Sequence, residues 1–359
     1  MKKIYIILAS ALLAVSCETP VETIWSDTNE AMLVLNAQLL QDKAGHTVWL
    51  HCSEGRGYRE IEDASVVCSI NGGGEITLEP VSVDREMYDG RIEQQFLGYK
   101  FKAEIVPGDD IAFQAQWDGH LATATATVPA AAAAITAVDT MKVILNGQNY
   151  STGGTVRTTR QWNITVKDTS PEKNFYMLRV EDVYYHLDGS GHVVGSLVQD
   201  SRMDASYDAL LHPASGGLMD EILGTDDNYY ELFNDEMFSG ASYTLKLMEP
   251  SWMAYGELWP EFWESFGDGD SYSLDRTIKI YTISLEEYLY LKAKEASGND
   301  IEYITEPVIY PVNVSGGLGF VTAMTPAVRT LSFPAEPFTG EIPYNAYRYI
   351  DPLPDDYYY

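Results

Sequence analysis

Groups that build metal centres, disulfide frameworks and nucleic-acid-binding surfaces are scarce in this chain. It has three cysteines and six histidines, and no two histidines show the i, i+4 spacing of a zinc-binding helix. The chain has 23 basic and 53 acidic residues, and its net charge of −30 repels nucleic acid and anionic membranes. The chain also lacks a Gly-x-Ser-x-Gly nucleophile turn. We therefore predict no metal site, no cofactor, no catalytic residue and no nucleic-acid partner, and we expect that the protein is not an enzyme.

A second absence is a hydrophobic run of membrane-spanning length. The apolar run at residues 4–15 is shorter than the roughly 20 residues that a spanning helix needs. Two lysines precede this run and Cys17 follows it, an order typical of a secretory signal that is cut before a lipid-bearing cysteine. We predict a signal peptide over residues 1–16, lipid attachment at Cys17 and a tether over residues 17–29. The alternative is an ordinary cleaved signal with an incidental cysteine.

The two later cysteines are predicted to point into one apolar layer. Cys52 and Cys68 each alternate with apolar residues along a β-rich segment, so both thiols fall on the apolar face of a predicted strand. Outside the cytoplasm a disulfide is permitted, and it would stabilise the fold by about 3 kcal/mol. The pattern leaves two interpretations open, a disulfide between Cys52 and Cys68 or two buried free thiols.

Short strands separated by turn residues follow the tether. The clearest signal is a hairpin in which alternating residues 111–117 and 120–128 flank Asp118-Gly119, a pair that favours a two-residue turn. Pro129 and an alanine run end this region. The strand count and length predict an N-terminal β-sandwich, immunoglobulin-like or transthyretin-like, over residues 30–134.

The region over residues 135–338 continues with strand patterns and contains one helix. Ser284 and Glu287 form a capping box before a helical pattern over residues 285–296. Strands at this spacing with one helix predict a C-terminal β domain, either a second sandwich or an open barrel. A tyrosine-rich segment with prolines, residues 339–359, is expected to form an extended tail. The fold class is therefore mainly β.

Three glycines follow a predicted strand at residues 307–314. Gly316, Gly317 and Gly319 superficially suggest a phosphate-binding loop, but no Gly-Lys-Ser/Thr ending and no helical pattern follow them. We interpret them as a bulge or a tight turn.

The most unusual segment, residues 252–275, is rich in aromatic residues. Aromatic faces stack on sugars, peptides or partner proteins, so one interpretation is a contact with a ligand or partner. The alternative is a segment whose rings pack onto the second domain. The candidate contact residues are Trp252, Tyr255, Trp259 and Trp263.

Several stretches occur in an order that is typical of one family. They are the signal ending at Cys17, Ile61-Glu-Asp-Ala-Ser-Val66, Val106-Pro-Gly-Asp109, Thr127-Val-Pro129, Phe233-Asn-Asp-Glu-Met-Phe-Ser-Gly240, Ser284-Leu-Glu-Glu-Tyr288, Glu306-Pro307 and Asn313-Val-Ser-Gly-Gly-Leu-Gly-Phe320. Together they resemble the Bacteroidota outer-membrane lipoproteins grouped as domain of unknown function 4249. The resemblance implies an outer-membrane lipoprotein, often encoded beside a TonB-dependent receptor, and it implies no known reaction or site residue.

These observations predict a lipid-anchored protein of the outer membrane, exposed at the cell surface. We expect a binding or accessory role, with a TonB-dependent receptor as partner in nutrient capture. Two alternatives are a surface enzyme that acts on a glycan or peptide, and a structural adhesin or coat protein.

Overall fold

The computed structural model describes residues 31–54, 57–61, 63–86, 92–147, 155–201, 203–212, 228–249, 260–298 and 310–340. These residues are mainly β, as predicted. The predicted signal, Cys17 and the tether lie outside them, and so does the tail from residue 341.

The strands are β1 (Met32–Leu40), β2 (Gly45–Glu54), β3 (Gly57–Glu60), β4 (Ser65–Ile70), β5 (Ile76–Thr77), β6 (Glu79–Glu86), β7 (Ile92–Lys102), β8 (Asp110–Trp117), β9 (His120–Thr127), β10 (Ala133–Gly147), β11 (Thr155–Asp168), β12 (Phe175–Leu187), β13 (Val193–Asp200), β14 (Leu232–Asn234), β15 (Ser242–Met248), β16 (Ser271–Ile283) and β17 (Val321–Pro337). The helices are α1 (Pro260–Glu264) and α2 (Leu285–Gly298).

One ten-stranded sheet runs through the molecule, and two smaller sheets pack against it. Its order is β13-β12-β16-β17-β1-β2-β7-β6, with β14 paired to β12 and β3 paired to β2. The smaller sheets have the orders β5-β4-β8-β9 and β10-β11-β15. Each smaller sheet shares its own hydrophobic core with one part of the large sheet.

The first core lies between the four-stranded sheet and the part of the large sheet formed by β1, β2 and β7. Leu35 and Leu50 of the large sheet and Ile111 of the smaller sheet are fully buried in it. The Asp118-Gly119 hairpin prediction is confirmed, because both residues have positive φ, 44° and 82°. This conformation matches the right-handed twist of the flanking strands.

Of the two interpretations of the later cysteines, the structure shows two buried free thiols. Cys52 on β2 and Cys68 on β4 are both free and buried, and both belong to the first core. They lie on the two facing sheets of the sandwich. The alternating pattern correctly pointed both thiols at the core, but it carried no information on which sheet each strand joins.

The second core lies between the three-stranded sheet and β12, β16 and β17. Trp162 and Leu245 of the smaller sheet pack there with Leu178 and Ile280 of the large one. Along the chain the first core extends to Val128 and the second begins at Ala132, but Val314, Val321 and Ala323 return to the first core.

The last strand belongs to both cores. β17 pairs antiparallel with β16 and parallel with β1, with Leu39 opposite Ala323. Val321 and Ala323 contribute to the first core, whereas Leu331 and Phe333 pack against the second. Local sequence patterns predicted neither this pairing nor the continuous sheet that results from it.

The three glycines before β17 form a backbone seam between the two sheets of the first sandwich. Gly316 and Gly319 have positive φ, 76° and 111°, and a Cβ on Gly316, Gly317 or Gly319 would overlap backbone carbonyl oxygens of β9 or β1. Asn313 holds the start of β17, since its side-chain amide donates to the carbonyl of Val321 at 2.6 Å and accepts from its N–H at 2.8 Å. The tight-turn interpretation is confirmed, while residues 310–314, within the predicted strand, are not a strand.

Helix α2 covers the outer face of the large sheet. Its capping box prediction is confirmed in part, because the Ser284 hydroxyl accepts a 3.0 Å hydrogen bond from the Glu287 N–H. The Glu287 carboxyl turns inward instead of returning to the helix start, and it is fully buried. Tyr288 and Leu291 of α2 pack on Tyr281 and neighbouring apolar residues of the sheet. Within the described residues, neither helix has the length and apolar character needed to cross a membrane.

Candidate functional site

The aromatic segment singled out in the sequence packs into a core at one end of the second sandwich. Trp263 of α1 is only 3% exposed, so its predicted role as an exposed contact residue is wrong. Its ring lies 5.4 Å from that of Tyr184 in an edge-on arrangement and 6.0 Å from that of Phe338. Burying a tryptophan among aromatic rings is favourable because of its large apolar area. The other candidates, Trp252, Tyr255 and Trp259, lie outside the described residues.

We call this group the aromatic cluster. It consists of Tyr184, Leu197, Phe262, Trp263, Phe266, Tyr272, Leu274, Phe333 and Phe338. It fills the space behind β13, where Leu197 is buried and the ring of Phe262 lies close to Gly195. The cluster therefore supports the inner face of this strand.

A chain of three polar side chains borders the aromatic cluster. His186 Nε2 lies 2.8 Å from Asp270 Oδ2, and His186 Nδ1 lies 3.1 Å from Ser265 Oγ. Phe266 stacks on the imidazole with a centroid distance of 3.8 Å. Hydrogen bonds from the Gly267 N–H and from His186 lower the pKa of Asp270, so this carboxylate is held ionised beside the imidazole. Local sequence patterns do not reveal this group, because His186 lies on β12 and the other two residues lie about 80 positions later, in the loop after α1.

The arrangement contains a hydroxyl, an imidazole and a carboxylate in the order of a nucleophile, a base and an orienting group. Two features oppose such chemistry. The Ser265 hydroxyl also donates a 2.6 Å hydrogen bond to the Phe262 carbonyl, at the carboxyl-terminal end of α1. The dipole at that end of a helix is negative, which disfavours a developing oxyanion. The geometry therefore fits a clamp that fixes the loop after α1 against β12.

A second polar group lies between the aromatic cluster and the second core. Arg276 and Asp182, directly opposite on β16 and β12, form two 2.7 Å hydrogen bonds, and both side chains are buried. Burial alone would lower the pKa of Arg276, but its hydrogen bonds to Asp182 and the nearby Glu249 raise it. The guanidinium also lies 4.6 Å from the ring centre of Trp162. A buried pair that is bidentate and surrounded by partners is structural in character.

Strand β13 forms one end of the ten-stranded sheet. It pairs with β12, and in the described part of the chain no strand pairs with its other side. Val193, Val194 and Val198 are 60%, 57% and 56% exposed. The β12–β13 hairpin, residues 181–200, carries four acidic residues and no lysine or arginine. An unpaired edge strand with exposed β-branched residues is a template for an added strand.

One edge of each smaller sheet, at β9 and at β15, is bridged by another part of the chain. Thr123 of β9 exchanges hydrogen bonds of 2.9 and 2.8 Å with Ser315, and Met248 of β15 exchanges bonds of 2.8 and 2.9 Å with Asp204. These contacts use the backbone groups that an added strand would need. Strands β5, β6 and β10 also end their sheets in the described part of the chain, but β13 combines three exposed valines with an inner face that the aromatic cluster supports. We therefore take the edge of β13 as the candidate functional site, which the sequence patterns did not single out.

Within the described residues, no group of three or more histidine, cysteine, aspartate or glutamate side chains has the geometry of a metal site. The acidic Asp270 instead accepts hydrogen bonds from the protein.

The architecture defines a mainly β protein with two cores on one continuous sheet and an open edge strand. Residues 18–330 match the family described as "Domain of unknown function (DUF4249)", and the chain belongs to this family. No curated protein matches the chain significantly.

Among solved structures, a DUF4785 family protein from Legionella pneumophila is similar over 70% of this chain and 52% of its own, with 5% identity and a TM-score of 0.20. The aligned part thus spans about half of that protein, and the similarity is too low to carry an argument.

Proposed function

We propose that this protein is a bacterial outer-membrane lipoprotein, anchored through Cys17, that binds a partner protein by adding a strand to the edge of β13. The partner that fits an accessory role in nutrient capture is a TonB-dependent receptor. The N-terminal sandwich is then an immunoglobulin-like or transthyretin-like module that connects the anchor to the binding domain. The signal-like start of the chain and the motifs of a Bacteroidota family support the location.

The observation that carries the proposal is the exposed apolar edge of β13. An edge of this kind is an aggregation hazard in a protein without a partner, and proteins usually protect it with charges, proline or a covering loop. Here the aromatic cluster supports the inner face of the strand, whose residues include Leu197. Strand addition supplies backbone hydrogen bonds for affinity, and pockets for alternate side chains supply specificity.

Site-specific photo-cross-linking in living cells tests the proposal. A photoreactive amino acid at position 194 or 198 is expected to form an adduct with an outer-membrane barrel protein, identified by mass spectrometry. Val106 and Leu121, on the N-terminal sandwich, are matched controls because they are 53% and 49% exposed. The proposal fails if the β13 positions give no adduct, or if the control positions give the same adduct in equal yield.

A second candidate function, a surface hydrolase, rests on the Ser265–His186–Asp270 chain. Its nucleophile would be Ser265, which is solvent-exposed. A fluorophosphonate probe would label the intact protein at this residue, and the label would disappear in Ser265→Ala and His186→Ala. Absence of labelling in the unmodified protein removes this candidate and leaves strand addition unaffected.

A further inference from the structure

The β10–β11 hairpin extends beyond the sheet to which it belongs. The two strands pair along their full length, but β15 pairs only with residues 161–167 of β11. Residues 142–147 and 155–160, here called the arm, form a two-stranded ribbon, and no third strand among the described residues pairs with them. Six residues of strand span about 20 Å. A ribbon of two strands is only marginally stable in water, so the arm gains stability from whatever covers it.

The arm and its base carry apolar and positively charged residues on an acidic protein. Met141 is 50% exposed and Ile144 is 69% exposed. Between positions 140 and 161 the charged residues are Lys142, Arg157 and Arg160, whereas the whole chain has a net charge of −30. Arg160 is paired with Glu249 at 3.7 Å, so the positive charge of the arm rests on the other two residues. The length of the arm corresponds to about two Debye lengths at physiological ionic strength, so the field of the acidic body is largely screened at its end.

Apolar side chains lie on both faces of the ribbon. Because side chains alternate along a strand, Met141 and Val143 point to one face and Lys142 and Ile144 to the other. One protein surface would cover a single face of such a ribbon. A ribbon inserted between lipid headgroups and acyl chains is surrounded by lipid, so the apolar side chains on both of its faces are buried. Its basic residues then lie beside anionic phosphates.

We propose that the arm binds an anionic lipid surface and thereby fixes the orientation of a body that is already anchored at Cys17. The inference uses the anchor of the proposed function but not its partner protein. Residues 18–31 separate Cys17 from β1, and an extended chain of this length reaches at most roughly 50 Å. The anchor therefore keeps the start of β1 within this distance of the bilayer but leaves the orientation of the body free, and arm binding would hold the β13 edge in a constant position relative to the bilayer.

Vesicle co-flotation of the unlipidated Cys17→Ala full-length chain tests the inference. We compare vesicles of equal parts phosphatidylglycerol and phosphatidylcholine with vesicles of phosphatidylcholine alone. Binding to the anionic vesicles is expected to be at least about tenfold stronger and to weaken as salt rises. Lys142→Glu and Ile144→Asp are each expected to reduce it by about fivefold or more.

Matched controls make the same chemical changes at exposed positions of the N-terminal sandwich. Lys102→Glu and Val106→Asp are expected to leave vesicle binding unchanged, because both residues are exposed and lie outside the arm. Equal binding to both kinds of vesicle, absence of flotation, or an equal loss in the controls would overturn the inference. Lipid-independent self-association that Lys142→Glu abolishes would overturn it too, since the arm would then bind a second copy of the chain. None of these outcomes affects cross-linking at position 194, which tests the partner separately.

Discussion

Gln38 of β1 donates a 2.6 Å hydrogen bond to the carboxyl group of Glu287 in α2. Gln38 lies directly opposite Thr322 in the parallel pairing of β1 with β17, and both side chains hydrogen-bond to Glu287. One buried carboxyl group thus connects the first strand, the last strand and the helix that covers them.

This carboxyl group is expected to make stability depend on pH. Burial raises the pKa of Glu287 from 4.5 to about 8, so the folded state keeps a proton that the unfolded state loses. Its contribution to stability is therefore fully present below pH 4.5, falls as pH rises towards 8, and is lost above that. The slope is at most about 1.4 kcal/mol per pH unit.

Glu287→Gln removes this titration and keeps the shape of the side chain. Between pH 6 and 8, where Asp200 with its pKa of about 6 contributes little, the unmodified protein is expected to lose about 2 kcal/mol more stability than the variant. Urea unfolding at the two pH values measures the difference. Glu286→Gln is the control, because Glu286 is exposed on the same helical turn. Parallel pH profiles for the unmodified protein and Glu287→Gln would contradict the assignment.

The Arg276–Asp182 pair predicts a large penalty for removing one partner. Arg276→Ala leaves a buried carboxylate without its counter-charge and is expected to cost about 3–5 kcal/mol in the free energy of unfolding. The double variant Asp182→Leu/Arg276→Met should recover most of that loss. Arg160→Ala is the control, since the Arg160 side chain is 46% exposed and its loss should cost less than about 1 kcal/mol. Equal losses in Arg160→Ala and Arg276→Ala would contradict the expected effect of burial.

The backbone seam predicts that Gly319 tolerates no side chain. Gly319→Ala would place a Cβ against the carbonyl group of Leu35 at a φ of 111°, and it is expected to destabilise the protein by about 2 kcal/mol or more. Thermal unfolding measures the loss. Gly74→Ala should have little effect, because a Cβ there meets no atom within 4 Å. Equal melting temperatures for Gly319→Ala and Gly74→Ala would contradict the close approach of Gly319 to the backbone of β1.

The burial of Trp263 predicts slow chemical modification. Oxidation by N-bromosuccinimide, mapped by mass spectrometry, is expected to reach the half-buried Trp117 well before Trp263. Trp263→Ala should cost about 3–5 kcal/mol, because it leaves a cavity among aromatic rings. Rapid oxidation of Trp263 in the folded protein would restore the original interpretation of this residue as an exposed contact.

Local chemistry explains which parts of the candidate site the sequence predicted. Val193 to Val198 have the composition of a strand, and that strand is present. Whether a strand lies at the edge of a sheet depends on how many strands pair with it. Among the described strands, β13 pairs with β12 alone. The aromatic residues near α1 were recognised as unusual, but a linear pattern does not distinguish rings that meet a ligand from rings that meet one another.

The sequence by itself determined the local elements of this protein. The Asp118-Gly119 turn, the alternating strands and the Ser284 cap depend on φ preferences and on neighbours a few residues apart, so they follow from short stretches of chain. The tertiary structure alone decided that β1 pairs with β17, that Cys52 and Cys68 lie on different sheets, and that Ser265, His186 and Asp270 meet. These relationships join residues far apart in the chain, and they exist only because two cores bury enough apolar surface to offset the entropy of closing the intervening loops.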